Sequence, residues 1–436
     1  MRALGTIAVV LAGSLCVTTP ASAAPARPGR IELVSVSPGG DDVEYANDPS
    51  PAISADGRFV AFTSRAVDLA PGDTNGREAD VFVRDMRAGR TTLVSRTPGG
   101  TSGNLGSGAP SISADGRYIA FHSGASDLVP GDTNGAVDVF VRDLRRGRTA
   151  RVGLGPGGVQ ADRGGGVPDI SADGRHVAFA SSSTNLVPGD TNATADIFVR
   201  DLDAGRTERV SLTADGRQSD SFAYESSISA DGSRVAFLSS PGLTADPSDP
   251  MAFTAAYVRD RRRHTTVNLS AGVVRDPGFF VSDVADPEIS DDGRTAAFTF
   301  SGVLAIGAEW VNSVWAYDLR TGKLSLVSRN SRPDDRTRGS SQPSLSADGR
   351  YVAFTSAHRM RPQDTNRIYD IYLRDRRTGG LRLLTAGQQN PYDSSLGSQT
   401  PAMSADARRV AFYADSAGLA PGAAPGAPHI YRWSAG

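Results

Sequence analysis

The segment SISADGRYIAF at residues 111–121 recurs along the whole chain, and this period constrains the fold more than any other feature. Its aspartate falls at 56, 115, 173, 231, 292, 348 and 406, which marks seven copies of one unit. Inside each unit, strand and turn signals alternate in a fixed order. A short apolar stretch such as PSIS meets Ala-Asp-Gly-Arg, whose Asp and Gly supply turn geometry. The next strand carries Ala-Phe, with the phenylalanine at 62, 121, 179, 237, 298, 354 and 412. A longer loop leads to a third strand, whose aromatic position holds Phe82, Phe140, Phe198, Tyr257, Trp315, Tyr372 and Tyr431. A Gly-bearing turn such as AGRT opens a fourth strand ending LVS or RVS. Four strands per unit, seven units and no helical periodicity predict an all-β, seven-bladed β-propeller of four-stranded blades. The recurring aromatics are read as packing between blades, because each blade buries both of its faces.

The chain ends carry a second expectation. The seventh unit stops after its third strand, HIYRWSAG, while LVSVSPGG at 33–40 matches LVSRTPGG at 93–100, the fourth strand and loop of the first unit. The N-terminal strand is therefore expected to complete the last blade and close the ring, so that residues 30–436 form the propeller. Ahead of it, residues 1–23 have an early Arg, an apolar run and the ending Ala21-Ser22-Ala23, the pattern of a secretory signal peptide, followed by a short linker at 24–29. Cys16 is the one cysteine and lies inside that segment, after Leu15 where a lipoprotein signal requires a small residue. The expected mature protein is secreted, extracellular or cell-envelope associated, monomeric and free of disulfides. No later apolar run approaches the roughly 20 residues of a membrane span. A formal charge of −2, with Lys323 the sole lysine, excludes a basic nucleic-acid footprint.

The unit [IL]SADGRxVAFxS, then a loop, then D[VI]FVRDLxxGRTxxVS, resembles the WD40-like PD40 repeat of TolB-type propellers. The same pattern occurs in the propellers of prolyl-oligopeptidase-type peptidases. The resemblance covers about residues 30–436 and implies the fold; it does not imply an activity. TolB-type proteins resemble six-bladed propellers with an additional N-terminal α/β domain, and neither feature is present in this sequence. The peptidases add a hydrolase domain with a Gly-x-Ser-x-Gly elbow, and that motif does not occur here.

Other chemical motifs are sparse. GLGPGG at 153–158 has dinucleotide-type glycine spacing but leads into another blade instead of a helix N-terminus. The five histidines, at 122, 176, 264, 358 and 429, show no paired metal-ligand spacing. Asp169 and Glu288 precede the apolar residue of the first strand in units three and five, where both would face the central channel. They are the candidate acid/base pair for a glycan hydrolase or lyase at the channel mouth, with channel polarity as their plainer role. Counting strand reversals puts the Ala-Asp-Gly and Gly-Arg-Thr turns on one face and all long connections on the other. Tyr45, Phe222, Tyr224, Phe279, Phe280 and Tyr392 fall among polar residues in those long connections, which suits a protein, peptide or glycan ligand. Units four and five replace the usual second loop with LTADPSDPMAFTAAYV and VLAIGAEWVNSVWAY, bringing Phe253 and Trp310, and form the expected specialised sector.

The second loop itself has a recurring oxygen pattern, PGDTN in units one to three and QDTN in unit six, each followed by Asp. It offers Asp73, Asn75 and Asp80 in unit one, and Asp132, Asn134 and Asp138 in unit two. Units three and six contribute Asp190, Asn192, Asp196 and Asp364, Asn366, Asp370. Hard cations prefer such oxygens, so calcium is the one cofactor to weigh, against turns in which Asp and Asn bond their own backbone. The seventh unit keeps the Pro-Gly entry but has Ala and Pro in place of these oxygens, so the loop shape does not require them.

Overall fold

The computed structural model describes residues 29–36, 50–244, 253–274, 279–304, 310–329, 339–366, 368–388, 397–415, 418–421, 423 and 428–436. The segment read as an export signal lies outside the described residues, as do Tyr45 and Tyr392. Seven antiparallel sheets of four strands each form the blades. Blade 1 runs outward from Ala52–Ile53 through Phe59–Ser64 and Asp80–Asp85 to Arg90–Leu93. Blade 7 consists of Ser398–Met403, Arg409–Ala414 and His429–Ser434, and its outermost strand is the N-terminal Arg30–Leu33. Arg30 pairs with Ser434 and Leu33 with Tyr431, and Glu32 meets Arg432 at 2.6 Å. The expected closure is thus present, and it ties the two ends of the described chain into one sheet.

The repeated aromatics form the core, because the second and third strands of each blade are in register. Phe62 faces Phe82 with ring centroids 6.0 Å apart; Phe121 and Phe140 stand 5.8 Å apart, and Phe412 and Tyr431 5.7 Å apart. Every one of these rings is fully buried. Each cluster spans two blades: Ile119 and Phe121 of blade 2 pack with Ala61, Val81 and Val83 of blade 1. Blade-to-blade burial of this kind is what holds a quasi-repeating ring together.

The turns explain the signature residues. In blade 2, Ser113 Oγ donates to Asp115 at 2.8 Å, Arg117 N donates to the same Asp115 oxygen at 2.9 Å, and Tyr118 N donates to Ser113 Oγ at 3.0 Å. Gly116 takes φ +70°, and a Cβ there would lie 2.2 Å from the ring of Phe59. The Arg117 guanidinium bonds both oxygens of Asp143 at 3.0 and 2.7 Å, which joins the Asp-Gly-Arg turn to the end of the third strand. The same fork recurs at Arg58–Asp85, Arg175–Asp201 and Arg350–Asp375. The Ser-Ala-Asp-Gly-Arg signature is therefore a turn and a latch.

Blade 5 departs from the pattern. Its strands Phe279–Ile289, Thr295–Leu304 and Trp310–Asp318 have 11, 10 and 9 residues, against six in the corresponding strands of blade 2. All three lengthen at the long-loop end. Among the described residues no helix is long and apolar enough to cross a membrane.

Candidate functional site

Around the axis, at the short-turn end, seven backbone hydrogen bonds run from blade to blade. Ala55 N donates to Ala114 O, Ala114 N to Ala172 O and Asp173 N to Ala230 O; Ala230 N donates to Asp291 O, Asp292 N to Ala347 O, Ala347 N to Ala405 O and Ala405 N back to Ala55 O. Above this ring lies a channel cavity of about 330 Å³, lined by the ends of the innermost strands, such as Pro51–Ile53, Pro110–Ile112 and Pro168–Ile170. Asp169, Glu288 and Asp291 line it, and among the described residues no Arg, Lys or His does.

Asp169 and Glu288 do share this space, as expected, but they lie beside the Ala-Asp-Gly turns and away from the long-loop mouth. The register gives them a structural task. Ser111 Oγ accepts Ile170 N at 3.0 Å, Ser227 Oγ accepts Ile289 N at 3.1 Å and Ser344 Oγ accepts Met403 N at 3.1 Å. Asp169 Oδ2 accepts Ile228 N at 2.8 Å in the same way, and Glu288 accepts the N–H of Leu345. Both acids thus replace serine in a latch from one innermost strand to the next. Asp169 also receives Ser111 Oγ at 2.6 Å. Burial pushes Asp169 up to about 6 and Glu288 up to about 8, and the charge of Asp169 adds to the shift of Glu288. Glu288 is therefore protonated at neutral pH and able to donate a proton.

The long-loop face has a different character. Val67, Leu105, Val137, Val167, Phe222 and Phe253 are exposed there, Phe222 by 47% and Phe253 by 68%. Phe222 stacks on Tyr224, with centroids 5.6 Å apart and planes 21° apart, at the entry to the innermost strand of blade 4. Phe253 sits on the second loop of the same blade. Phe279, Phe280 and Trp310, expected in loops, belong to strands of blade 5, where Phe279 pairs with Leu304 and Trp310 with Val303. The apolar runs GFFVSDV and FTFSGVL favour continued pairing over looping, so this insertion is a three-stranded extension beside the blade 4 aromatics.

The Asp-x-Asn loops sit on the same face, each packed against the start of the connection to the next blade. Among the described residues no group of three or more His, Cys, Asp or Glu is placed to hold a metal. In blade 2 the Arg151 guanidinium lies 3.4 Å from Asp132 and 3.5 Å from Asp138, and Gln160 Nε2 donates to both at 2.9 and 3.0 Å. In blade 3 Arg209 lies 3.3 Å from Asp190 and 3.3 Å from Asp196, and Gln218 donates to Asp190 at 3.2 Å. Asn134 and Asn192 donate to the strand-entry aspartates at 3.2 Å. In blade 6 the Tyr372 hydroxyl donates to Asp364 at 2.6 Å and Thr385 Oγ1 to Asp370 at 2.5 Å, while Asn366 Oδ1 accepts Ile368 N. The sequence reading missed Arg151 and Arg209. Aligning the fourth strands RTTL, RTAR and RTER would have exposed them.

No protein-family model and no curated protein matches the chain. Solved structures do resemble it. The β-propeller domain of the trilobed protease from Pyrococcus furiosus, which has an open Velcro topology, superposes with a TM-score of 0.50 at 12% identity, over 94% of each chain. Putative TolB from Agrobacterium tumefaciens gives 0.39 at 17% identity, over 68% of this chain and 85% of that one. Pyrococcus horikoshii acylaminoacyl peptidase gives 0.49 at 13% identity over 92% of this chain, which spans 53% of the peptidase. At such identities the likeness bears on fold alone, and the fold is a seven-bladed β-propeller.

Proposed function

We propose that this protein is an exported, non-enzymatic propeller that binds an extracellular protein, peptide or envelope glycan on its long-loop face. The observation that carries this reading is the exposed Phe222, stacked on the half-buried Tyr224, with the exposed Phe253 on the second loop of the same blade, beside the extended strands of blade 5. Apolar side chains grouped among polar residues on the loops of a rigid scaffold are a common form of binding surface. They suit ligands with an apolar face and a polar rim, such as sugar rings or peptide side chains. The opposite face is occupied by intrachain Arg–Asp forks. Envelope-glycan arrays and peptide libraries probed with wild type and with Phe222→Ser and Phe253→Ser test the reading; equal binding by all three would refute it.

A second reading is supported by the Asp169 and Glu288 pair in the channel, which has the split acidity of a general acid and its partner. It predicts polysaccharide cleavage that disappears in Asp169→Asn or Glu288→Gln. The latch bonds to Ile228 and Leu345 account for both acids without catalysis, so binding is the preferred function.

A further inference from the structure

Blade 1 keeps the two aspartates and the asparagine of the second loop, and the Ser95 hydroxyl on Asp80, but lacks the arginine, glutamine and tyrosine donors that reach these acids in blades 2, 3 and 6. Leu93 pairs with Phe82 where Arg151 pairs with Phe140 and Arg209 with Phe198. Ser102 bridges to Arg96 where Gln160 bridges to Leu154 and Gln218 to Leu212. Phe82 takes the position at which blade 6 presents the Tyr372 hydroxyl. Arginine, glutamine and tyrosine have thus been replaced by leucine, serine and phenylalanine around an unchanged acidic pair.

The consequence is visible atom by atom. Asp73 Oδ1, Asn75 Oδ1 and Asp80 Oδ2 are buried oxygens without a hydrogen-bond donor. Asp80 is fully buried, and its other oxygen receives the Ser95 hydroxyl at 2.5 Å. Asn75 Nδ2 donates to Gly103 O at 2.9 Å, which fixes the orientation of the amide and leaves its oxygen to the site. Ser102 Oγ accepts the N–H groups of Thr74 and Asn75 at 2.9 and 3.1 Å and holds the loop in place. Unpaired buried carboxylate oxygens are costly, and a cation removes that cost.

We propose that blade 1 binds one calcium ion through Asp73 Oδ1, Asn75 Oδ1 and Asp80 Oδ2, in the place that arginine guanidinium groups fill in blades 2 and 3. Two carboxylates match the charge of a divalent ion, and the donors are the hard oxygens it prefers. Water and loop carbonyls complete the coordination. Magnesium demands near-ideal octahedral geometry, which an irregular loop is poorly suited to provide. Blades 2 and 3 bind no ion, because a guanidinium already stands between their carboxylates. This inference is independent of the binding function proposed above.

The test uses the full chain stripped with chelator, followed by equilibrium dialysis against calcium and thermal melts with calcium or EDTA. Wild type is expected to take up one ion per chain and to melt at higher temperature with calcium. Asp80→Asn should lose both effects, and Asp190→Asn in blade 3 should leave the uptake at one ion. Should Asp80→Asn fail to fold, the double substitution Leu93→Arg/Ser102→Gln copies blade 2; it should fold without calcium and no longer respond to it. No uptake by wild type, an ion retained by Asp80→Asn or by the double variant, or an ion lost from Asp190→Asn would each overturn the site. Displacement of calcium by an equal concentration of magnesium would overturn the choice of ion.

Discussion

Replacing Glu288 by glutamine should make the protein more stable, and increasingly so as pH rises. Glu288 lies in the channel with Asp169 and Asp291, and Asp286 adds a further charge nearby, with no basic residue lining the cavity among the described residues. Its carboxyl moves from an ordinary 4.5 to about 8 on folding. Between those two values the unfolded chain has released the proton while the folded chain still holds it, so stability falls as pH rises through this window. The contribution is fully present below about pH 4.5 and fully lost above about pH 8. Each pH unit inside the window costs about 1.4 kcal/mol, so wild type should lose about 2.5 kcal/mol relative to Glu288→Gln between pH 5 and pH 7, less whatever channel water screens. Glutamine keeps an oxygen for the Leu345 N–H and has the shape of the protonated acid. Other raised acids, Asp80 and Asp370 among them, titrate in the same range, so the difference between the two proteins is the informative quantity. Urea melts of both proteins at half-unit steps from pH 5 to pH 8 measure it. A difference that stays constant with pH, or a variant less stable than wild type at pH 8, would refute the placement of an uncompensated acid in the channel.

Three further outcomes follow from the packing. Phe121→Ala removes a fully buried ring stacked on Phe140 and should cost about 3–5 kcal/mol, read as a lower urea midpoint with unchanged slope. Gly116→Ala places a Cβ at positive φ against the ring of Phe59 and should cost at least about 1 kcal/mol, checked by thermal melts. A chain lacking residues 30–35 leaves the third strand of blade 7 without its outer partner, and should melt at lower temperature with faster hydrogen exchange at His429–Ser434.

The architecture was legible because propeller strands announce themselves through turn chemistry and paired aromatics, and because the match between 33–40 and 93–100 disclosed the closing strand. The channel position of Asp169 and Glu288 was readable for the same reason. Their latch bonds were not, since it takes the register of neighbouring blades to show that serine performs the same task at 111, 227 and 344. Blade 5 misled the reading because Gly278 and the Asp-rich context of Phe279 and Phe280 look loop-like, while the pairing partner lies in another segment. The Asp-x-Asn loops look alike in sequence, and what separates blade 1 from blades 2 and 3 lies outside the loop: Leu93 against Arg151 and Arg209, and Ser102 against Gln160 and Gln218.

The most direct test of the binding account compares the two faces of the propeller. Ligands captured by wild type from envelope-glycan arrays and peptide libraries are titrated against the double variant Phe222→Ser/Phe253→Ser and against Arg145→Glu, an exposed change on the short-turn face. The account predicts that affinity falls at least about tenfold, or roughly 1.4 kcal/mol, in the aromatic variant and is unchanged in Arg145→Glu. Binding that survives loss of both phenylalanines, or that is lost in Arg145→Glu alone, would contradict it.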